Sequence, residues 1–220
     1  MNTLKNHLEH REKSELISII THMLRQEPDL QWLLATPLPT ASTQKASIDP
    51  KIFQQQILAA MSASDNQRNR KRGEVQRRLA AIKTIADEFA ANENYAGALT
   101  IYEVLVNEVI QHFNDYRDEY VAFSVILMGC IDGLDNCFAG EEDNPQMRLR
   151  VIRALFAIYR FSTDNGMDLD EDIAGLLVGN TSPEERQVIA GWVQDALKQK
   201  ATWSNGERYE ILLAALERAN

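Results

Sequence analysis

Residues 79–105, LAAIKTIADEFAANENYAGALTIYEVL, hold two amphipathic runs separated only by the polar triplet NEN. In the first run Ile82, Ile85, Ala86 and Phe89 recur at helical spacing, and in the second Tyr95, Ala98, Tyr102 and Leu105 do so. A break this short directs the second helix back along the first. Ala86 and Ala98 are small enough to allow a close crossing, with the larger side chains filling the space on either side. The same 3.6-residue period continues along most of the chain and fixes the expectation of an all-α fold, built from antiparallel helical hairpins.

Further helices are expected near residues 14–26, 50–61, 73–91, 95–112, 119–138, 145–161, 169–178, 183–199 and 206–218. Ser14 is the expected cap of the first, with Leu16, Ile17, Ile20, Met23 and Leu24 on its apolar stripe. Pro28 opens a short successor, PDLQWLLA, and the prolines and small polar residues of 36–49 form a linker. Asp49 and Pro50 read as cap and first helical position. Ser182, Pro183 and Glu185 make a capping box with proline at its first turn. The expected division is an N-terminal helical subdomain over 1–63, a basic hinge over 64–72 and a main helical domain over 73–220. Two hundred and twenty residues, 45% of them hydrophobic, suffice for a substantial core.

The hairpin of residues 79–105 resembles a tetratricopeptide repeat (TPR), in which small and aromatic positions alternate across a helix pair. Glu93 stands where such repeats favour glycine, and Leu105 where they favour alanine. The next 34 residues, with YRDEYVAFSVILMGCIDGLDNCF, are helical without repeating the pattern. A TPR-like bundle or short solenoid is therefore expected rather than a regular array. More broadly, HLEHREKSELISIITHMLRQEPDLQWLL, the hairpin and RLRVIRALFAIYRFSTDNGMDLDEDIAGLLVGNTSPEERQVIAGWVQDAL resemble the helical region that accompanies SWIM-type zinc fingers in bacterial proteins. The likeness covers about residues 8–215 and rests on helix order and scattered positions. The finger needs several cysteines and a histidine in one short segment. This chain has two cysteines, neither with a nearby histidine, so the resemblance implies the helical scaffold alone.

The residues that carry chemistry elsewhere read here as structural. Cys130 and Cys137 share a helical face with Phe123, Ile126, Leu127, Leu134 and Phe138, the setting of buried free thiols. His7 and His10 belong to an exposed terminus. His112 ends a helix, where its cationic form meets the carbonyl-rich terminus, and His22 has no acid or nucleophile at a suggestive spacing. DNGMDLDED departs from the calcium-loop order, and Asp168 or Asp170 reads as a helix cap. No phosphate-binding or dinucleotide glycine pattern occurs, so no catalytic, metal or cofactor residue is expected.

RNRKRGEVQRR is the strongest exposed feature. Arg68, Arg70, Lys71, Arg72, Arg77 and Arg78, with Glu74, give a local balance of +5 in a chain of net charge −9, leaving −14 on the remainder. These six residues are the candidate partner-binding positions. The acidic remainder argues against general nucleic-acid or anionic-membrane binding, and no aromatic within the run supplies a stacking platform. The amino terminus lacks the apolar core of a signal peptide, and no uninterrupted apolar run reaches membrane length, so the expected location is cytoplasmic. The expected function is a non-enzymatic helical scaffold mediating protein–protein interaction, with self-association as one form of it. A nucleic-acid-associated accessory protein using the basic run is the first alternative. An enzyme with an interhelical site is the second.

Overall fold

The computed structural model describes residues 2–26, 34, 48–62, 73–140, 143–199 and 203–219. Among these residues the protein is all-α, with ten α-helices, a 3₁₀ turn at Arg117–Glu119 and no strand. The chain divides into two compact units, Met1–Pro37 and Leu38–Asn220.

The first unit contains α1 (Asn2–Glu9) and α2 (Lys13–Gln26). α1 was not expected from the sequence. α2 begins one residue earlier than anticipated: the Glu12 carbonyl accepts from the N–H groups of Glu15 and Leu16, which places Ser14 inside the helix rather than at its cap. No described residue of α2 is buried. PDLQWLLA, apart from Leu34, and most of the following linker lie outside the described residues.

The second unit runs through α3 (Pro50–Ser62), α4 (Glu74–Ala91), α5 (Tyr95–His112), α6 (Tyr120–Gly140), α7 (Pro145–Asn165), α8 (Asp170–Gly179), α9 (Pro183–Gln199) and α10 (Trp203–Ala219). Asp49 caps α3 as expected, its Oδ1 accepting from the Lys51 N–H at 3.0 Å. Phe53, Ile57, Ala60 and Met61 are buried, and α3 packs against α4 and α5. This helix therefore belongs with the larger unit, whereas the sequence reading grouped it with the N-terminal part. Composition marks a polar stretch as a hinge, but burial decides which core a helix joins. The hinge residues lie outside the described set.

α4 and α5 fold back on each other around Asn92–Asn94. Ile82, Ala86, Phe89, Ala98, Tyr102 and Leu105 are all buried, as the hairpin pattern requires. Asn94 caps α5, its Oδ1 accepting from the Gly97 N–H at 2.9 Å. Glu93 is the only non-glycine residue with positive φ among the described residues, at 61°. Its N–H still donates to the Ala90 carbonyl at 2.9 Å, so hydrogen bonding holds the turn in a conformation that an L-residue disfavours.

α6 packs against α4, α5 and α7. By length and composition it could cross a membrane, although no single apolar run in the sequence suggested this. In the fold, Phe123, Leu127, Cys130, Leu134 and Cys137 are buried in the protein core instead. α7 extends four residues past its expected end because Ser162 and Thr163, although polar, are buried. Gly166, with φ 68°, then ends the helix. Ser162 shapes the connection to α8: its hydroxyl donates to the Met167 carbonyl at 2.6 Å and accepts from the Leu169 N–H at 3.1 Å. Leu169 occupies the position before α8 and makes no side-chain cap. Asp168 is not the expected cap: it is 95% exposed and lies 3.6 Å from Arg208.

The capping box of α9 forms as read. The Ser182 Oγ accepts from the Glu185 N–H at 3.2 Å, and Glu185 accepts from the Ser182 N–H at 2.9 Å. Arg148, from the first turn of α7, grips the same carboxylate with bonds of 2.9 and 2.8 Å and also donates to the Asn180 carbonyl. A second arginine on α7, Arg150, reaches Glu103 and Thr100 on α5. α7 is thereby tied to helices on both sides by charge-assisted bonds.

Two predictions follow from this geometry. Glu93→Gly should raise stability by about 0.5–1 kcal/mol, because relief of the left-handed strain exceeds the added chain entropy of glycine. Urea unfolding checks it, and an unchanged or lower midpoint would contradict the strain. Partial burial works to raise the pKa of Glu185, but the Arg148 and Ser182 hydrogen bonds and the guanidinium charge outweigh it and hold the carboxyl below its ordinary value. The stabilisation is therefore complete above the unfolded carboxylate pKa of about 4.3 and disappears as pH falls through the lower folded value. Glu185→Gln should cost about 1–3 kcal/mol at neutral pH. The gap between variant and wild type should narrow as pH falls from neutrality through the lowered folded value, as read in urea titrations.

Candidate functional site

Of the six basic positions singled out above, Arg68, Arg70, Lys71 and Arg72 lie outside the described residues. Arg77 and Arg78 stand in the first turns of α4, and both pair with Glu74; the Arg78 Nε is 2.9 Å from its carboxylate. The acid at the helix start complements the helix dipole and offsets part of the local positive charge.

A cleft of about 620 Å³ lies between α4, α5 and α6. Its chemistry comes from Lys83, Asp87, Tyr95, Tyr102, Asp132 and Asn136. The helical repeat explains the arrangement on α4: Lys83 and Asp87 are one turn apart on one face, and Nζ lies 3.0 and 2.9 Å from the two carboxylate oxygens. From α5, the Tyr102 hydroxyl donates to the Asp87 Oδ1 at 2.6 Å. Burial, this hydrogen bond and the carboxylate charge push the Tyr102 phenol well above its usual pKa, so it remains a donor. Asp87 is thus oriented by a cation on its own helix and a phenol on the next. On α6, Asp132 and Asn136 are exposed and face the cleft one turn apart.

Three glycines of α6 lie against these side chains, and two of them, Gly133 and Gly140, line the cleft. A Cβ on Gly133 would lie 2.2 Å from the Tyr102 Cζ, one on Gly140 would lie 2.3 Å from the Tyr95 Cζ, and one on Gly129 would lie 2.6 Å from the Lys83 Cε. The rings of Tyr102 and Tyr95 and the stem of Lys83 therefore lie against bare backbone. Sequence reading identified Tyr95 and Tyr102 only as hairpin packing positions and did not find Lys83, Asp87, Asp132 or Asn136. The available signals were the Lys83–Asp87 spacing and the glycines at intervals of four and seven in an otherwise apolar helix.

Cys130 and Cys137 are both free thiols and buried, in the core as expected. Burial pushes the Cys130 thiol up to about 12, against an opposing pull from Lys83. His112 lies 3.1 Å from Asp115 and 3.5 Å from the buried Glu108, which also accepts from Gln54 at 2.7 Å. That cluster joins α3 to the end of α5. His10 donates locally, from Nδ1 to the Asn6 carbonyl oxygen at 2.6 Å. Among the described residues no three His, Cys, Asp or Glu side chains converge as for a metal ion. A second cleft, of about 540 Å³, lies between α7, α8 and α10. Arg208 lines it and already donates to the Met167 carbonyl, with Asp168 as its ion-pair partner.

No family model, curated protein or solved structure matches the chain.

Gly133→Ala should destabilise the fold by about 1–3 kcal/mol, because the new methyl meets a buried, hydrogen-bonded ring that has no room to retreat. Gly129→Ala should be close to neutral or stabilising, since the flexible Lys83 stem can shift and alanine favours the helix by about 1 kcal/mol. Equal denaturation midpoints for the two variants would contradict the packing described for α6.

Proposed function

We propose that this protein is a non-enzymatic helical scaffold that works by binding another protein. One observation carries the reading. Val121, Val125 and Met128 recur on α6 at intervals of four and three and are 69%, 45% and 52% exposed, although the opposite face of the same helix is core. A row of large apolar side chains on one helix, next to a lined cleft, is the kind of surface that receives a partner's helix or extended segment. The TPR-like character of the α4–α5 hairpin is consistent with this role by analogy of fold. The cleft network adds fixed polar groups to the apolar row, which gives a binding surface orientation as well as area.

Nucleic-acid binding through the basic run ranks below this reading. Arg77 and Arg78 are engaged by Glu74, and the remainder of the chain is strongly acidic.

The test is affinity capture from the native cell with wild type and with Val125→Asp/Met128→Asp. Both substitutions are on exposed positions, so circular dichroism should be unchanged. A protein held stoichiometrically by wild type and lost from the double variant is the expected result. Equal capture by both would reject α6 as the binding face. Low-micromolar binding of wild type to oligonucleotides near 0.15 M salt, by fluorescence anisotropy, would put the nucleic-acid reading first.

A further inference from the structure

The cleft and the exposed row on α6 form one continuous track. Val121, Val125 and Met128 lead along the helix to Asp132 and then Asn136, so the apolar row ends at the cleft mouth. We infer that the segment bound there is amphipathic and basic: its apolar side chains cover the α6 row, and an adjacent lysine or arginine places its cationic head in the cleft. This rests on the protein-binding reading above and specifies the partner's chemistry.

Three observations point to a cation. First, α4 ends at Ala91 and α6 at Gly140, and both ends line the cleft. The last carbonyls of α4 already accept from the Asn92, Glu93 and Asn94 N–H groups, so the negative terminus offered to the cleft is that of α6, which has no basic residue in its last turn. Second, the side-chain charges of the cleft sum to a negative value: Asp87 and Asp132 outnumber Lys83, and Lys83 is already committed to Asp87. Asp132 remains on the α6 wall as an exposed carboxylate. Third, Tyr95, which is half-buried, brings an aromatic ring to the same wall, against which an ammonium or guanidinium and its methylene stem pack favourably. An acidic segment would instead face Asp132 and the negative end of α6. A free polyamine would satisfy the charge but leave the apolar row uncovered, so the source of the cation is a polypeptide.

The test uses the full chain and a fluorescein-labelled helical peptide. Its leucines recur at i, i+4 and i+7, and a pair of lysines follows at each end so that either chain direction is served. One control peptide replaces the lysines by glutamate, and another replaces the leucines by serine. Anisotropy near 0.15 M salt should show the basic peptide binding at least about tenfold more tightly than either control. Asp132→Lys should lower its affinity about tenfold. Glu210→Lys, the same charge change on an exposed position of α10, should leave it within about twofold, which separates the cleft from general attraction to an acidic protein. Spermidine in excess should compete poorly. Failure of the basic peptide to bind, equal binding of the acidic peptide, or equal effects of Asp132→Lys and Glu210→Lys would overturn the cation subsite. If the Val125→Asp/Met128→Asp capture experiment still lost its protein, the scaffold reading would stand and only the partner's basic character would be withdrawn. Loss of neither would remove both.

Discussion

The second unit depends on a single constraint: α6 must bury an apolar side chain set that is too large for one helix interface. Phe123, Leu127, Cys130, Leu134 and Cys137 have no exposed surface to speak of, and α4, α5 and α7 together supply the cover. Each buried phenylalanine or leucine among them contributes roughly 1.5–3 kcal/mol of apolar transfer relative to exposure. Surrounding one helix with three requires a close approach somewhere, and the α6 glycines provide it. Tyr102 can be wholly buried and still reach Asp87 because Gly133 offers no Cβ in its way. The fold and the cleft therefore have a common origin in how α6 is packed.

This origin explains why the polar network is rigid. Tyr102 is held by the core on one side and by Asp87 on the other, and Asp87 is held in turn by Lys83. None of the three depends on a loop. Further out, Arg148 and Arg150 on α7 connect the α6 neighbourhood to α9 and to α5 through carboxylates that are themselves partly shielded. Such pairs have more orienting value than surface pairs because their geometry is bidentate and water is partly excluded. A surface carried on helices fixed in this way keeps its shape before a partner arrives, which lowers the ordering cost of binding.

Much of the helix layout was legible in the sequence, since the apolar period and the capping chemistry are local. The Ser182–Glu185 box and the Asp49 cap appear where they were read, and the hairpin residues from Ile82 to Leu105 are buried as their spacing required, except Tyr95, which is half-buried at the cleft. The failures were also physical. Ser14 and Asp168 are good capping residues by type, but neighbouring backbone set the helix start elsewhere. The boundary near residue 63 failed to separate α3 from the larger core because a polar stretch says nothing about the packing of the helix before it. Among the candidate site residues, Arg77 and Arg78 were identifiable as charges, but their engagement by Glu74 became visible only once α4 had formed.

The sequence by itself determined an all-α chain, the period and approximate ends of most of its helices, the close α4–α5 hairpin and the burial of both thiols. These follow from interactions within a few residues of one another or from the faces of single helices. Only the tertiary structure decided that α3 joins the second core, that Lys83, Asp87, Tyr102 and Asp132 meet, and that Val121, Val125 and Met128 remain outside. Periodicity gives the apolar character of a helix face but not the number of neighbours that will cover it. On α6 the neighbours cover one side and leave the other open, and that difference is made by the packing of helices distant in sequence.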